Sequence, residues 1–157
     1  MLGCVNLVEE LRYLILASQR EGNRAFAGAL REHGLTPSQA EALSVLHTAG
    51  RALTVKEVGE RLVCETGSPS RLMGTLTRKG LIESSRDEDD GRVTRLRLSQ
   101  AGTVAVAGVA DAEQAMYALM GSLIDVPAAE NARELLRALV GELPTGRALA
   151  RRIADGA

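Results

Sequence analysis

Apolar residues recur with a helical period over most of this chain and with a strand period over one short stretch. From about Asn6 to Glu32 they fall at Leu7, Val8, Leu11, Leu14 and Ile15, then at Phe26, Ala29 and Leu30. That spacing predicts one long amphipathic helix, ended by Gly34. "LTPSQAEALSVLH" opens a second helix, with Thr36 as N-cap, Pro37 at the first helical position and Gln39 completing a capping box. "LTVKEVGERL" repeats the device: Thr54 caps, Glu57 reaches back, and Leu53 can staple onto Val58. A third short helix runs from about Gly67 to Lys79, closed by Gly80. Pro69 sits in its first turn, where backbone N–H groups lack intrahelical partners anyway.

"LIESSR" and "VTRLRLS" then read as two strands, joined by a "DEDDG" turn. Ser99 caps a long helix from about Gln100 to Leu123, and Asp125 with Pro127 begins a last strong amphipathic helix. Its apolar face is Ala132, Leu135, Leu136, Leu139, Val140 and Leu143. Pro144 and Gly146 break it, and "RALARRIADG" is expected to add a turn or two. The fold class is therefore mainly α with a small β-hairpin. Two short helices followed by a hairpin form the winged version of the helix-turn-helix. Residues 36–99 make up that core. The helices at 1–35 and 100–157 are apolar beyond what so small a core can cover, which suggests a dimer formed by the outer helices of two chains.

Composition narrows the chemistry. The formal net charge is −1, so any attraction to a polyanion must rest on local segregation of charge. Only 2% of residues are aromatic, too few for platforms that stack single-stranded bases. Cys4, Cys64, His33 and His47 have no metal-ligand spacing, and no disulfide framework is implied. No nucleophile–base pair or phosphate loop appears, so neither an enzyme nor a cofactor is expected. The N-terminus lacks a secretory pattern, and the longest apolar-plus-glycine run, 104–110, is far too short to span a bilayer. The expectation is a cytoplasmic chain with no membrane partner.

Local segregation is what the middle of the chain offers. Around 67–79, Pro69, Leu72, Met73 and Leu76 fall on one side, and Ser68, Ser70, Arg71, Gly74, Thr75 and Arg78 on the other. Between Thr66 and Gly80 there are three cations, Arg71, Arg78 and Lys79, and no acid. Small hydroxyls with arginine suit a major groove, since they reach phosphates and base edges. A merely solvated helix face is the bland alternative. After Gly91 come Arg92, Arg95 and Arg97. The four acids Asp87 to Asp90 keep the hairpin tip solvated, and Asp90 can hold the Arg92 guanidinium in one orientation. An arginine so held can enter a narrow minor groove. Here the bland alternative is a surface ion pair worth about 0–1 kcal/mol.

These residues carry a resemblance. From Leu35 to Gly102 the chain resembles the winged-helix core of the MarR family of bacterial transcriptional regulators. The features that match are Asp90-Gly91-Arg92 in the wing, then Leu98-Ser99 and Gly102, and "RKGLIE" at 78–83. The resemblance implies that Ser68, Ser70, Arg71 and Thr75 meet DNA, and that the N- and C-terminal helices dimerise. It also implies a small, often aromatic, carboxylate effector between the dimerisation helices and the core. Arg12, Tyr13 and Arg24 are the candidate polar contacts for it, against a reading as surface charges and a core tyrosine. "ASQRE" at 17–21, "LTVKEVGERL" and "ETG" at 65–67 resemble the organic-hydroperoxide-sensing branch, but Arg12 stands where that branch has its sensing cysteine. Cys4 lies two turns earlier. Cys64 falls at a position the family usually fills with an apolar residue.

The expected protein is a homodimeric regulator that binds double-stranded DNA at a pseudo-palindromic operator under control of a small ligand. Its DNA-contacting set is Ser68, Ser70, Arg71, Thr75, Arg78, Lys79, Asp90, Arg92 and Arg95. Two alternatives remain open: redox sensing through Cys4 or Cys64, and a winged-helix protein-interaction module without an operator.

Overall fold

The computed structural model describes residues 2–64, 67–87 and 90–156, with side chains from Asn6 onward. Helix α1 (Leu2–Ala29) tightens into a 3-10 turn at Leu30–His33, and Gly34, at φ 63°, turns the chain out of it. Helix α2 (Pro37–Ala49) follows. Thr36 Oγ1 accepts the Gln39 N–H, and Gln39 Oε1 accepts the Thr36 N–H, each at 3.3 Å, so both halves of the capping box form. Helix α3 (Val55–Gly59) starts the same way from Thr54 and Glu57 but is only five residues long. Then come α4 (Pro69–Arg78), the antiparallel strands β1 (Ile82–Arg86) and β2 (Thr94–Leu98), α5 (Gln100–Leu123), α6 (Val126–Val140) and α7 (Pro144–Asp155).

The core gathers around α2, which is buried over most of its circumference by Ala40, Ala42, Leu43, Val45 and Leu46. Leu53, Val58, Leu76, Ile82 and Val109 bring α3, α4, β1 and α5 onto it, and all five are fully buried. In the hairpin, Ile82 pairs with Leu98 and Arg86 with Thr94. Side chains alternate across a strand, so this register sends Ile82 and Leu96 inward and sets Glu83 beside Arg97 on the other face. Leu53 exchanges both backbone hydrogen bonds with Leu96, at 2.9 and 2.7 Å, a one-residue third strand that the sequence pattern did not announce. The wing thereby hangs from the start of α3.

Helix α5 docks at Ser99. Its Oγ accepts the Gly102 N–H at 3.0 Å and donates to the Gly80 carbonyl at 2.6 Å. A Cβ at position 102 would lie 1.9 Å from the Leu81 carbonyl oxygen, so only glycine permits this approach. The C-terminal expectation is corrected. Pro144 does not simply break a helix; it occupies the first turn of α7, where the missing N–H costs nothing. The result is twelve residues of helix rather than a turn or two. It lies against α2 and is pinned by Arg61–Asp155 (2.5 Å) and Arg152–Glu41 (3.1 Å).

The outer helices leave much apolar surface uncovered. Helix α6 has no buried residue, and Leu135, Leu136, Leu139 and Val140 are all exposed. Leu7, Val8 and Leu14 of α1 and Leu119 and Leu123 of α5 are likewise exposed. Among the described residues no helix is long and apolar enough to cross a membrane.

Candidate nucleic-acid interface

Helix α4 is positioned by its buried side. Met73 and Leu76 sink into the core, which turns Ser68, Ser70, Arg71 and Arg78 to solvent. Ser68 is the N-cap and accepts the Arg71 N–H at 3.4 Å. Thr75 spends its hydroxyl on its own helix, donating to the Arg71 carbonyl at 3.0 Å. The same oxygen accepts from Arg78 Nη2 at 3.0 Å and so steadies that guanidinium along the outer face. Among the described residues neither Arg71 nor Arg78 has a carboxylate partner. The helix thus presents hydroxyls and two guanidinium groups with no acid between them.

Two expected contacts are turned to other work. Lys79 follows the last turn, and its ammonium donates to the Gly34 carbonyl at 2.7 Å and to Gln39 Oε1 at 3.0 Å. It ties α4 to the start of α2. Arg95, on the Arg97 face of β2, is paired at both ends: Nη1 meets Glu57 Oε2 at 3.2 Å and Nε meets Asp87 Oδ2 at 2.5 Å. Arg97 is likewise paired, with Glu83 across the hairpin at 3.0 Å. Arg95 and Arg97 are thus cations beside acids that the hairpin register or the helix packing delivers, which linear spacing does not reveal.

At the wing tip the expected ion pair is loose and a backbone bond is tighter. Asp90 Oδ1 accepts the backbone N–H of Arg92 at 3.0 Å, whereas the Arg92 Nε lies 3.9 Å away. The carboxylate fixes the backbone under Arg92 and leaves its side chain 96% exposed. Asp87 Oδ1 accepts the Asp90 N–H at 3.1 Å, and backbone bonds from Asp87 to Val93 and from Val93 to Asp90 close the turn. At least two of the four acids are therefore acceptors that shape the tip. Glu88 and Asp89 lie outside the described residues.

Sequence reading missed a buried carboxylate in α2. Glu41 is 6% exposed and accepts the N–H groups of Val63 and Cys64 at 2.8 and 2.9 Å, as well as Arg152 Nη1. One side chain in α2 holds the loop that leads toward α4 and receives the pin from α7. The available signal was an acid inside a helix apolar nearly all round, since a buried charge requires partners.

The redox and effector candidates fare differently. The Cys64 thiol is half-buried, and burial, with Glu41 second, pushes it up to about 11. An activated thiol needs the opposite shift. The Cys4 side chain lies outside the described residues. Arg12 stacks over the Tyr13 ring at 4.8 Å from its centroid, on the open face of α1. Arg24 pairs with Glu21 at 3.2 Å and lines a groove with Asn23, Ser38 and Cys64. The three do not converge. A separate cavity of about 510 Å³ lies between the winged core and α5 and α7, lined by Phe26, Glu41, Glu113, Tyr117 and Arg152.

Residues 35–102 match the family described as a winged helix DNA-binding domain. The chain is 30% identical over 100 residues to the organic hydroperoxide resistance transcriptional regulator of Bacillus subtilis (strain 168), covering 64% of this chain and 67% of that one. Among solved structures it resembles an organohalide-sensing transcriptional regulator in its 2,4-dichlorophenol-bound form, with a TM-score of 0.78 and 21% identity over 88% of this chain and 82% of that chain. It also resembles a mutant MarR from E. coli complexed with operator DNA, with a TM-score of 0.75 and 18% identity over 86% and 96% of the respective chains. The two structural likenesses speak to the fold.

Proposed function

The chain belongs to the MarR family of winged-helix DNA-binding transcriptional regulators, and from that premise we propose that it acts as a homodimer on a pseudo-palindromic operator. The observation that carries this reading is the outer face of α4, where Ser68, Ser70, Arg71 and Arg78 stand exposed without an acid. That helix enters the major groove, Thr75 steadies Arg78, and Arg92 reaches the adjacent minor groove from a tip whose backbone Asp90 holds. Lys79 and Arg95 shape the unit instead of touching DNA. Residues 36–99 form the reading head, and 1–35 with 100–157 join two chains. The uncovered apolar faces of α1, α5 and α6 support that join, because apolar helix faces left open to water gain by burial against a second chain.

Control falls to a small molecule. A chlorophenol is bound in one structural relative, and the cavity beside Phe26, Met116 and Tyr117 suits a compound with an aromatic ring. Selection of bound duplexes from a random pool tests the reading. Enrichment of two related half-sites about one helical turn apart is expected. No enrichment over input would refute it.

A further inference from the structure

A run of hydrogen bonds leads from the N-terminus of α3 to the wing tip. Glu57, three residues into the α3 cap, accepts the Thr54 N–H with Oε2 at 2.8 Å and Arg51 Nη1 with Oε1 at 2.9 Å. Its Oε2 also meets Arg95 Nη1 at 3.2 Å. Arg95 passes the connection to Asp87, Asp87 to the Asp90 N–H, and Asp90 to the Arg92 N–H. The Leu53–Leu96 backbone pair anchors the base of the wing beside this run. The ladder between β1 and β2 ends at Arg86 and Thr94, and among the described residues these side chains and two backbone bonds hold the tip beyond it.

We propose that Arg95 is a positioning residue: with Glu57 and Asp87 it forms a strut that sets the Arg92 tip at a fixed angle to the helix-turn-helix. This rests on the reading of Arg92 as a minor-groove contact. A guanidinium is suited to the role because its planar fork reaches two carboxylates at once, which an ammonium does so less well. The strut lets one small hairpin hold its arginine ready without burying the arginine itself.

The sign of one substitution separates this from plain electrostatics. Asp87→Asn removes a negative charge close to a polyanion, and on charge alone it tightens binding. The strut requires the reverse. Binding is measured by fluorescence anisotropy at one fixed salt concentration, on a duplex selected by the wild-type chain. Asp87→Asn is expected to weaken binding about fivefold, the scale of a partly exposed charge-assisted hydrogen bond. In an Arg92→Ala background the same change should cause no further loss. Arg95→Lys should behave like Asp87→Asn in both backgrounds, and it carries the comparison if Asp87→Asn lowers the unfolding midpoint below the assay temperature. Tighter or unchanged binding overturns the strut, as does a loss that persists in full without Arg92. If Arg92→Ala itself changes nothing, the wing contact fails and the strut with it; if Arg92→Ala weakens binding and the others do not, only the strut fails.

Discussion

Arg152 of α7 and Glu41 of α2, 111 residues apart in the chain, meet at 3.1 Å while Glu41 also holds the backbone at Val63 and Cys64. The C-terminal helix and the approach to the recognition helix therefore share one buried carboxylate. Glu41→Gln keeps the shape but loses one of two acceptor oxygens, leaving a donor unmet. It should destabilise the fold by about 1–3 kcal/mol. Chemical denaturation measures this, and a loss below a few tenths would show that the contact is incidental. Arg152→Ala and Glu41→Gln together should cost less than their sum.

Glu57 gives the fold an acid limb. The Thr54 N–H, more than any other group, lowers its pKa from 4.5 to about 2, and Arg51 adds to the effect. A depressed folded-state pKa means the unfolded chain takes up the proton first. The stabilisation is full above 4.5 and is lost as the pH falls toward 2. Glu57→Gln should be less stable at neutral pH, and its deficit should shrink across that interval. Parallel curves for the two proteins would contradict the assignment.

Gly102 allows α5 to leave the wing. Its replacement by Ala would drive a Cβ against the Leu81 carbonyl oxygen, at 1.9 Å before relaxation. A backbone shift there should cost about 2–3 kcal/mol, at the upper end of overpacking effects. The drop in unfolding midpoint is the readout; a neutral effect would mean that the helix start can slide freely.

The apolar face of α6 should govern assembly. Leu135 is 44% and Leu139 52% exposed in the single chain. Placing glutamate at both positions should shift the chain toward monomer in sedimentation analysis and reduce its helix content. An unchanged dimer would place the join elsewhere.

Local chemistry was legible where a few neighbouring residues decide it. The caps at Thr36, Thr54, Ser99 and Asp125, and the apolar side of α4, follow from propensity and period alone. What the linear pattern did not show was mostly decided by residues far apart in the chain. Arg95 looked like Arg92 because both follow Gly91; only the hairpin register and the Leu96–Leu53 bridge bring Arg95 to Glu57. Lys79 looked like Arg78, but α4 packs against α2 and brings the Lys79 ammonium to Gly34 and Gln39. Pro144 looked like an end, and it begins a helix whose ion-pair partners are Glu41 in α2 and Arg61 just after α3. The Asp90 and Arg92 pairing was visible, but its geometry was not: the carboxylate grips the N–H at 3.0 Å and meets the exposed guanidinium only loosely, at 3.9 Å.

The most direct test of the DNA-reading face is the salt dependence of duplex binding, measured for the wild type, Arg71→Ala and Arg92→Ala. A dimer gripping phosphates should lose affinity steeply as salt rises, with a log–log slope of about −0.9 per phosphate neutralised. Arg71→Ala should cost about 1–3 kcal/mol and relax preference at one base position if it reads a base edge. Arg92→Ala should weaken binding with the dimer intact. A flat salt response, or affinity unmoved by either substitution, would contradict the interface built here from α4 and the wing.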